Sequence, residues 1–188
     1  LFTVGRDPVK RNMELEGFPL QGRLIQVHTR LGAQLVNNWS CACYLPQIGN
    51  TADPGTVVTW AESSAVNYGN SVLGIRVNRM ATGMEVLCAI AGKVPVFGLV
   101  TDEGRRAKWH IDVRLSEEPH WGVLGTAIGY KVVDQIPYIT GIDHWLGMED
   151  GKPDPVAVGK LKGMGSSSAA SGAVGLYHVE NVTPEAID

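Results

Sequence analysis

The chain has 188 residues, of which 44% are hydrophobic and 19% are charged, and its formal net charge is −3. This composition is too apolar for a disordered chain, and the weakly acidic balance disfavours a nucleic-acid-binding protein, which carries a clustered basic face. The longest apolar stretch, residues 86–100, is interrupted by glycine, lysine and proline, whereas a membrane span needs about 20 apolar residues. We therefore expect a folded chain with one sizeable core and without a membrane span.

The first predicted elements are two helices separated by turns. Residues 22–36 carry apolar side chains at mixed helical spacing, which predicts a helix. The segment 46–55 is rich in glycine, asparagine and proline and predicts a turn-rich crossing. A second helical pattern begins at Glu62, beyond that crossing.

A third helix and two strands are predicted in the middle of the chain. Residues 82–85 read Thr-Gly-Met-Glu, the spacing of a capping box, and Gly92 supplies a C-terminal stop for the helix that they open. Residues 94–100 predict a buried strand. Residues 108–115 alternate between polar and apolar side chains, which predicts a strand with one buried face.

The last third of the chain predicts a long helix, a strand and a final helix. Asp154 is a good N-cap, and Pro155 suits the first helical position, so we expect a helix that ends near Ala170. Residues 174–179 predict a strand, and residues 183–184 open another helix. Helices and strands that alternate in this way are typical of an α/β fold.

The helix predicted from Glu62 has an unusual polar face. Its members, spaced three and four residues apart, are Ser63, Asn67, Asn70, Gly74 and Asn78. Solvent-facing helix positions usually carry lysine and glutamate, because asparagine, serine and glycine are poor helix formers. The face therefore indicates either a polar pocket or close packing against another backbone. Glu62 suits the positive end of the helix dipole, as a functional carboxylate or only as a cap.

The three cysteines are too few and unpaired for a disulfide framework, and no charged-then-apolar leader is visible, so we expect a reducing, cytoplasmic setting. Cys41 and Cys43 form a Cys-x-Cys pair. Thiolates bind iron and zinc, but no second pair accompanies this one, so the spacing alone favours buried, inert cysteines. Cys88 lies among apolar residues of a predicted helix and is interpreted as a small core residue.

Other chemistry-bearing residues have simpler structural explanations. His110 and Asp112 fit the outer face of an edge strand, and His178 fits a core histidine whose polar atoms are satisfied. The glycine- and serine-rich run 163–168 mimics a phosphate loop, but the Walker lysine is absent. The basic run Arg-Arg-Ala-Lys at residues 105–108 follows acidic neighbours and is interpreted as a solvated turn.

Several ordered motifs together resemble the catalytic domain of the aconitase X family. Residues 60–66 read Trp-Ala-Glu-Ser-Ser-Ala-Val, and residues 70–76 read Asn-Ser-Val-Leu-Gly-Ile-Arg. The Cys-x-Cys pair lies upstream at the family's spacing, and matching runs continue to residues 182–186. The resemblance covers nearly the whole chain from about residue 31 and implies a layered, aconitase-like α/β domain with a mixed or parallel sheet flanked by helices. Residues 1–188 are then a single domain, or the central portion of a catalytic domain, without an internal boundary.

The resemblance implies a hydro-lyase that removes water from a small hydroxy acid, either cis-3-hydroxy-L-proline or mevalonate 5-phosphate. An iron–sulfur cluster, 4Fe-4S or 2Fe-2S, acts as the Lewis acid in such an enzyme. By the family's motif, Cys43 is a cluster ligand, and Glu62 and Ser63 contact the substrate and are the candidate catalytic residues. A small swivelling-domain subunit is the implied partner. The alternative is a truncated, catalytically inert relative that serves as a scaffold or small-molecule-binding subunit.

Three departures from the family pattern also bear on the function. The family tends to place Pro-Tyr just after the second cysteine, where this chain has Tyr-Leu-Pro at residues 44–46, and it often has histidine where this chain has Val100. The family's domain is also about twice this length, so further cluster cysteines and an active-site lysine are expected beyond Asp188, and substrate loops before Leu1.

The family has a helix where this chain has residues 160–171, so the resemblance implies that the glycine- and serine-rich run is helical.

Overall fold

The computed structural model describes residues 19–32, 51–81 and 83–186. The chain divides into two compact units, Leu1–Thr51 and Ala52–Asp188. The described part of the first unit is helix α1 (Pro19–Arg30), followed by a turn at residues 31–32. The helix predicted over residues 22–36 is thus confirmed over residues 22–30. It begins earlier than predicted, because proline is favoured at the start of a helix, and it ends earlier, in the turn at residues 31–32.

Four helices form the frame of the second unit. They are α2 (Ser63–Ser71), α3 (Met84–Ala91), α4 (Trp121–Val132) and α5 (Pro155–Gly172). The predicted start of α5 is confirmed, because the Asp154 carboxylate accepts a hydrogen bond of 2.7 Å from the Ala157 N–H and Pro155 occupies the first position. The glycine- and serine-rich run lies inside α5, as the resemblance implied. None of the helices in the three described ranges is long and apolar enough to cross a membrane.

The sheet of the second unit is parallel. In chain order the strands are β1 (Trp109–Asp112), β2 (Pro137–Thr140), β3 (Met148–Glu149), β4 (Lys152–Pro153) and β5 (His178–Val179). β1, β2 and β5 pair in parallel in that spatial order, and β3 and β4 form a separate antiparallel pair. A parallel sheet with helices packed on it confirms the α/β class.

The core lies between the sheet and the α4–α5 pair, and glycines bring these two helices together. A Cβ atom added to Gly125 would lie 2.1 Å from the Met164 carbonyl oxygen, and one added to Gly129 would lie 2.7 Å from that of Ser168. The residues that fill the space beside this contact include Ile128, Val132, Ile139, Leu161, Met164, Tyr177 and Val179. Interiors are packed as densely as organic crystals, so such a contact leaves no room for a side chain at either glycine.

Two strand predictions are wrong in whole or in part. Residues 94–100 contain a short 3-10 helix, Gly98–Val100, instead of a buried strand, and Val96 and Phe97 are 84% and 53% exposed. The strand predicted over residues 174–179 is reduced to β5. In both segments side chains, and not a neighbouring strand, hydrogen-bond to the backbone. Asn78 does so in residues 94–100. Asn67 and Asn70 of α2 do so in residues 174–179.

The helix-end predictions have mixed outcomes. Gly92 ends α3 in the left-handed conformation, as predicted, with a φ of 62°. The N-cap of α3 is Gly83, without a side-chain hydrogen bond, so the expectation of a capping box is not met at this helix start; Thr82 itself lies outside the described residues. The last predicted helix is one 3-10 turn, Pro184–Ala186. The strand predicted over residues 108–115 is shortened to β1.

Candidate functional site

Glu62 lies at the N-cap of α2, at the positive end of the helix dipole, as predicted. Its carboxylate accepts hydrogen bonds from the Ser64 N–H (3.1 Å), the Ala65 N–H (3.2 Å) and the Ser64 hydroxyl. Its backbone has a φ of 78° and a ψ of 127°. Non-glycine residues rarely adopt positive φ, and holding one there costs about 1–3 kcal/mol. The fold therefore holds Glu62 in a strained conformation while its side chain caps the helix.

Ser63 is the first residue of α2, and its side chain is exposed. At this position the hydroxyl and the backbone N–H lie in the first turn, where N–H groups have no partner inside the helix. Such a helix end attracts carboxylate and phosphate groups. Because Glu62 takes the Ser64 and Ala65 N–H groups, the donors offered to a ligand at this end of α2 are the Ser63 hydroxyl and backbone N–H, beside the Glu62 carboxylate.

The polar face of α2 packs against backbone, which is one of the two alternatives that its composition allowed. Asn67 is buried and donates to the Val174 carbonyl oxygen at 2.9 Å. Asn70 is equally buried and donates to the carbonyl oxygens of Val77 (2.8 Å) and Gly175 (3.1 Å). Because α2 ends at Ser71, Gly74 and Asn78 lie beyond the helix and do not share its face.

Arg105 corrects the interpretation of residues 105–108 as a solvated turn, since its side chain is only 3% exposed. Its guanidinium donates to Asn70 Oδ1 (2.8 Å), the Asn70 carbonyl oxygen (3.0 Å) and the Leu99 carbonyl oxygen (2.9 Å). It also forms an ion pair of 2.6 Å with Glu185. Burial lowers the pKa of Arg105, and the Glu185 carboxylate opposes that shift. Arginine stays protonated in proteins, so a buried cation is fixed at the C-terminal end of α2.

A cleft of about 400 Å³ opens beside Arg105. The residues that line it are Arg76, Asp102, Arg105, Arg106, Ala107, Tyr138, His178 and Glu185. Arg76 donates to the Val100 carbonyl oxygen at 3.0 Å and pairs with Asp102 at 2.5 Å. The hydrogen bond and charge of Arg76 hold the pKa of Asp102 below its usual range. Arg106 pairs with Glu103 at 3.0 Å, so each of the three guanidinium groups at the cleft has a carboxylate partner.

His178 is a buried histidine with a satisfied ring nitrogen, as predicted, and it is also part of the cleft wall. Its Nε2 lies 2.9 Å from the Arg105 carbonyl oxygen. His110 and Asp112 are exposed on β1, an edge strand of the sheet, also as predicted. His110 Nε2 contacts the Thr140 hydroxyl at 3.0 Å, and Asp112 pairs with Arg114 at 2.7 Å, so each has a structural partner.

The described residues do not by themselves fit an iron–sulfur cluster. Cys41 and Cys43 lie outside the described ranges. Cys88 is buried in α3, as predicted, with its sulfur 4.0 Å from that of Met80. Across residues 19–32, 51–81 and 83–186, no three histidine, cysteine, aspartate or glutamate side chains are grouped so that they could hold a metal ion.

Glu62 and Ser63 do not line the cleft. α2 has nine residues, so its two ends are about 13 Å apart, with Glu62 at one end and the Asn70–Arg105 contact at the other. Sequence reasoning predicted a site at Glu62 and Ser63, which stays a prediction, and it missed the cleft, because the cleft lining comes from separate segments. The one available signal, the arginine pair at residues 105–106, does not distinguish a buried arginine from an exposed one.

Comparisons with family models and with known proteins agree on one family. Residues 10–103 match the family described as "Aconitase X first domain", and residues 100–188 match "Aconitase X second domain". The chain is 37% identical to the phosphomevalonate dehydratase large subunit of Methanothermobacter thermautotrophicus over 166 residues, which is 88% of this chain and 38% of that protein. It is 36% identical to the cis-3-hydroxy-L-proline dehydratase of Pseudomonas aeruginosa over 168 residues, which is 88% of this chain and 27% of that protein.

A solved structure shows the same fold. The crystal structure of Thermococcus kodakaraensis aconitase X in its holo-form superposes with a TM-score of 0.73 and 30% sequence identity, covering 97% of this chain and 42% of that chain. This chain thus spans about two fifths of the structure, and well under half the length of the two curated relatives above.

Proposed function

The chain belongs to the aconitase X family, and from that premise we propose that it forms part of a hydro-lyase that removes water from a small hydroxy acid. The names of its relatives give the two candidate substrates. One is mevalonate 5-phosphate, from the phosphomevalonate dehydratases, and the other is cis-3-hydroxy-L-proline. Both are acids that carry a hydroxyl group.

The observation that carries this proposal is the pairing of Glu62 and Ser63 at the open end of α2. Dehydration of a hydroxy acid removes a proton from the carbon next to the carboxylate, while the hydroxyl leaves from the neighbouring carbon as water. The reaction therefore needs a site for the substrate's negative charge and a group that accepts a proton. Ser63, at the N-terminus of α2, supplies its hydroxyl and backbone N–H for the charge, and the Glu62 carboxylate lies beside them, bonded to the next two N–H groups.

We assign Ser63 to substrate binding through its hydroxyl and backbone N–H. We assign Glu62 to substrate contact and, by its position, to proton transfer. The strained backbone of Glu62 supports this assignment, because strain of this kind is retained mainly where it serves a function. The capping bonds fix the direction of the carboxylate, so a substrate acid held at Ser63 would meet it in a defined orientation.

Cys43 is our proposed ligand of an iron–sulfur cluster, which in such enzymes polarises the leaving hydroxyl group. The described residues supply no donor set for it, so the further ligands must come from the rest of the enzyme. Relatives named as large subunits support a small subunit as partner, which we take to be a swivelling domain. The roles assigned to Glu62 and Ser63 do not depend on how the cluster is completed.

The first test is the iron and acid-labile sulfide content of the anaerobically purified enzyme, assembled with its small subunit. We expect both in the wild type, their loss in Cys43→Ser, and their retention in Cys88→Ala, which removes a buried thiol of α3. Iron that survives in Cys43→Ser would overturn the ligand assignment. A wild-type protein without iron, inactive also when mixed with its small subunit, would overturn the hydro-lyase proposal and favour the inert scaffold or small-molecule-binding subunit.

The second test is dehydration of mevalonate 5-phosphate and of cis-3-hydroxy-L-proline by the enzyme assembled with its small subunit. Ser63→Ala should lower kcat/KM by about 10- to 100-fold, since a hydrogen bond to the substrate's negative charge is lost. Ser166→Ala changes an exposed serine of α5 and should leave turnover unchanged. Equal turnover by the two variants would remove Ser63 from the site.

A further inference from the structure

The open cleft beside Arg105 has the volume of a ligand site and is lined by three arginines. Its lining includes the guanidinium groups of Arg76, Arg105 and Arg106, which pair with Asp102, Glu185 and Glu103 respectively. Its volume of about 400 Å³ lies within the range of small-molecule sites, roughly 300–1,000 Å³. The cleft therefore has room for a small organic anion, which the guanidinium N–H groups not used in the ion pairs would hold.

Arg76 is held in place and still has donors to offer. Its guanidinium carries five N–H groups. One donates to the Val100 carbonyl oxygen and one to Asp102, and the others have no acceptor within the described part of the chain. Its side chain is 26% exposed, so it reaches the cleft while its stem is packed. A fixed, partly buried guanidinium can bind an oxyanion without losing much side-chain freedom.

His178 presents an acceptor to the same cleft. A carbonyl oxygen can only accept, so His178 Nε2 carries the proton and donates to the Arg105 carbonyl oxygen. In the neutral ring Nδ1 is then the acceptor. No residue of the described ranges hydrogen-bonds to Nδ1, and no buried side-chain nitrogen or oxygen in those ranges lacks a partner. Nδ1 of this 5%-exposed residue is therefore open to the cavity, whose wall it forms.

We propose that this cleft binds the phosphate group of a small phosphate monoester. The phosphate oxygens accept hydrogen bonds from the N–H groups of Arg76 and Arg106 that are not used in the ion pairs with Asp102 and Glu103. Guanidinium groups recognise phosphate through such charge-assisted hydrogen bonds. A singly protonated phosphate also has one hydroxyl to donate, and His178 Nδ1 is the matching acceptor. A carboxylate has no such hydroxyl. The space beyond the phosphate receives the organic part of the molecule.

This inference does not rest on the proposed hydro-lyase function. Neither Glu62 nor Ser63 lines the cleft, and the two locations lie at opposite ends of α2. Binding is also measured without turnover, so a failed binding test and a failed dehydration test are separate results.

Titration calorimetry at constant ionic strength tests the proposal, with glycerol 3-phosphate as the probe and acetate for comparison. We expect saturable binding of glycerol 3-phosphate, with a Kd at least about tenfold lower than that of acetate. Arg76→Gln should raise the Kd by about tenfold, because a charge-assisted hydrogen bond is lost. Arg114→Gln removes an arginine of the same unit that is 87% exposed and outside the cleft, and should change the Kd less than twofold.

A second pair of variants covers the case in which Arg76→Gln does not fold. Arg106 is 71% exposed, so Arg106→Gln should retain the fold and weaken binding. His178→Gln places an amide donor near the Arg105 carbonyl oxygen while removing Nδ1, and it should also weaken binding. Absence of saturable binding by the folded wild type, equal affinity for acetate, or unchanged binding in both Arg106→Gln and His178→Gln would overturn the proposal.

Discussion

Asn70 and Arg105, which lie 35 residues apart in the sequence, meet in a hydrogen bond of 2.8 Å between the amide oxygen and the guanidinium. The same amide oxygen accepts from the Val77 N–H at 3.1 Å, and the amide nitrogen donates to three carbonyl oxygens. One side chain therefore satisfies a buried cation and the backbone of three segments. Buried charges are tolerated only when they are paired and fully hydrogen-bonded, so this contact is a condition of the fold around the cleft.

Replacing Asn70 by alanine should be among the most destabilising single changes in the chain. It leaves a buried guanidinium and several backbone groups without a partner, and breaking a buried charged network costs about 3–5 kcal/mol. Asn67→Ala is the matched control: Asn67 is also 1% exposed, but it donates to one carbonyl oxygen and contacts no charge. Its loss should cost about 1–3 kcal/mol. Denaturant unfolding measures both, and equal losses would contradict the role given to Arg105.

The glycines at the α4–α5 contact give a second prediction. Gly125→Ala would place a methyl group 2.1 Å from the Met164 carbonyl oxygen, so the helices must separate. We expect a loss of about 1–3 kcal/mol in the free energy of unfolding. Gly159→Ala, in the same pair of helices, meets no atom within 4 Å and should stabilise by about 0.5–1 kcal/mol through helix propensity. A stabilised Gly125→Ala variant would show that the helices do not pack as closely as described.

Sequence reasoning succeeded where the chemistry is local. The cap at Asp154, the stop at Gly92 and the position of Glu62 all depend on groups within a few residues, and each is found as predicted. Those signals are short-range because a helix end leaves backbone groups unpaired that neighbouring side chains or a left-handed glycine can satisfy.

Sequence reasoning failed where the hydrogen-bond partner of a segment lies far away in the chain. Residues 94–100 have the apolar pattern of a strand, but Asn78 takes the backbone of Phe97 and Leu99 as its partners. Val174 likewise binds Asn67, 107 residues earlier in the chain. An apolar run shows that a segment can be buried and not which group will pair with its backbone. The same holds for the cleft, since no local pattern distinguishes the buried Arg105 from the exposed Arg106.

A pH-dependent contribution to stability is expected at Glu118. Its carboxylate accepts from Lys160 at 2.8 Å and from the Trp121 indole at 2.8 Å, and these bonds hold the pKa of Glu118 below its usual value of 4.5. A pKa that is lowered in the folded state stabilises the protein, and this stabilisation is fully present above the ordinary pKa of 4.5. It disappears as the pH falls through the folded-state pKa. Glu118→Gln should therefore lower the Tm at pH 7, and the difference in Tm from the wild type should shrink as the pH falls below 4.5.

Glu117→Gln is the control for that measurement, because Glu117 is exposed and adjacent. It should change the Tm little at either pH. If the difference in Tm between the wild type and Glu118→Gln stays constant from pH 7 to pH 3, the substitution acts through lost packing and not through lost charge.

At the end of α5, replacing alanine by glycine should have opposite effects on stability at two positions, 173 and 170. Ala173 is the C-cap of α5 and has a φ of 65° and a ψ of 28°, the left-handed conformation in which a Cβ atom is crowded by the backbone. Ala173→Gly should therefore stabilise the protein by about 1 kcal/mol. Ala170 is exposed inside the same helix, so Ala170→Gly should destabilise by about 0.5–1 kcal/mol. Thermal unfolding decides between these signs, and a loss in both variants would mean that α5 continues beyond Gly172 in solution.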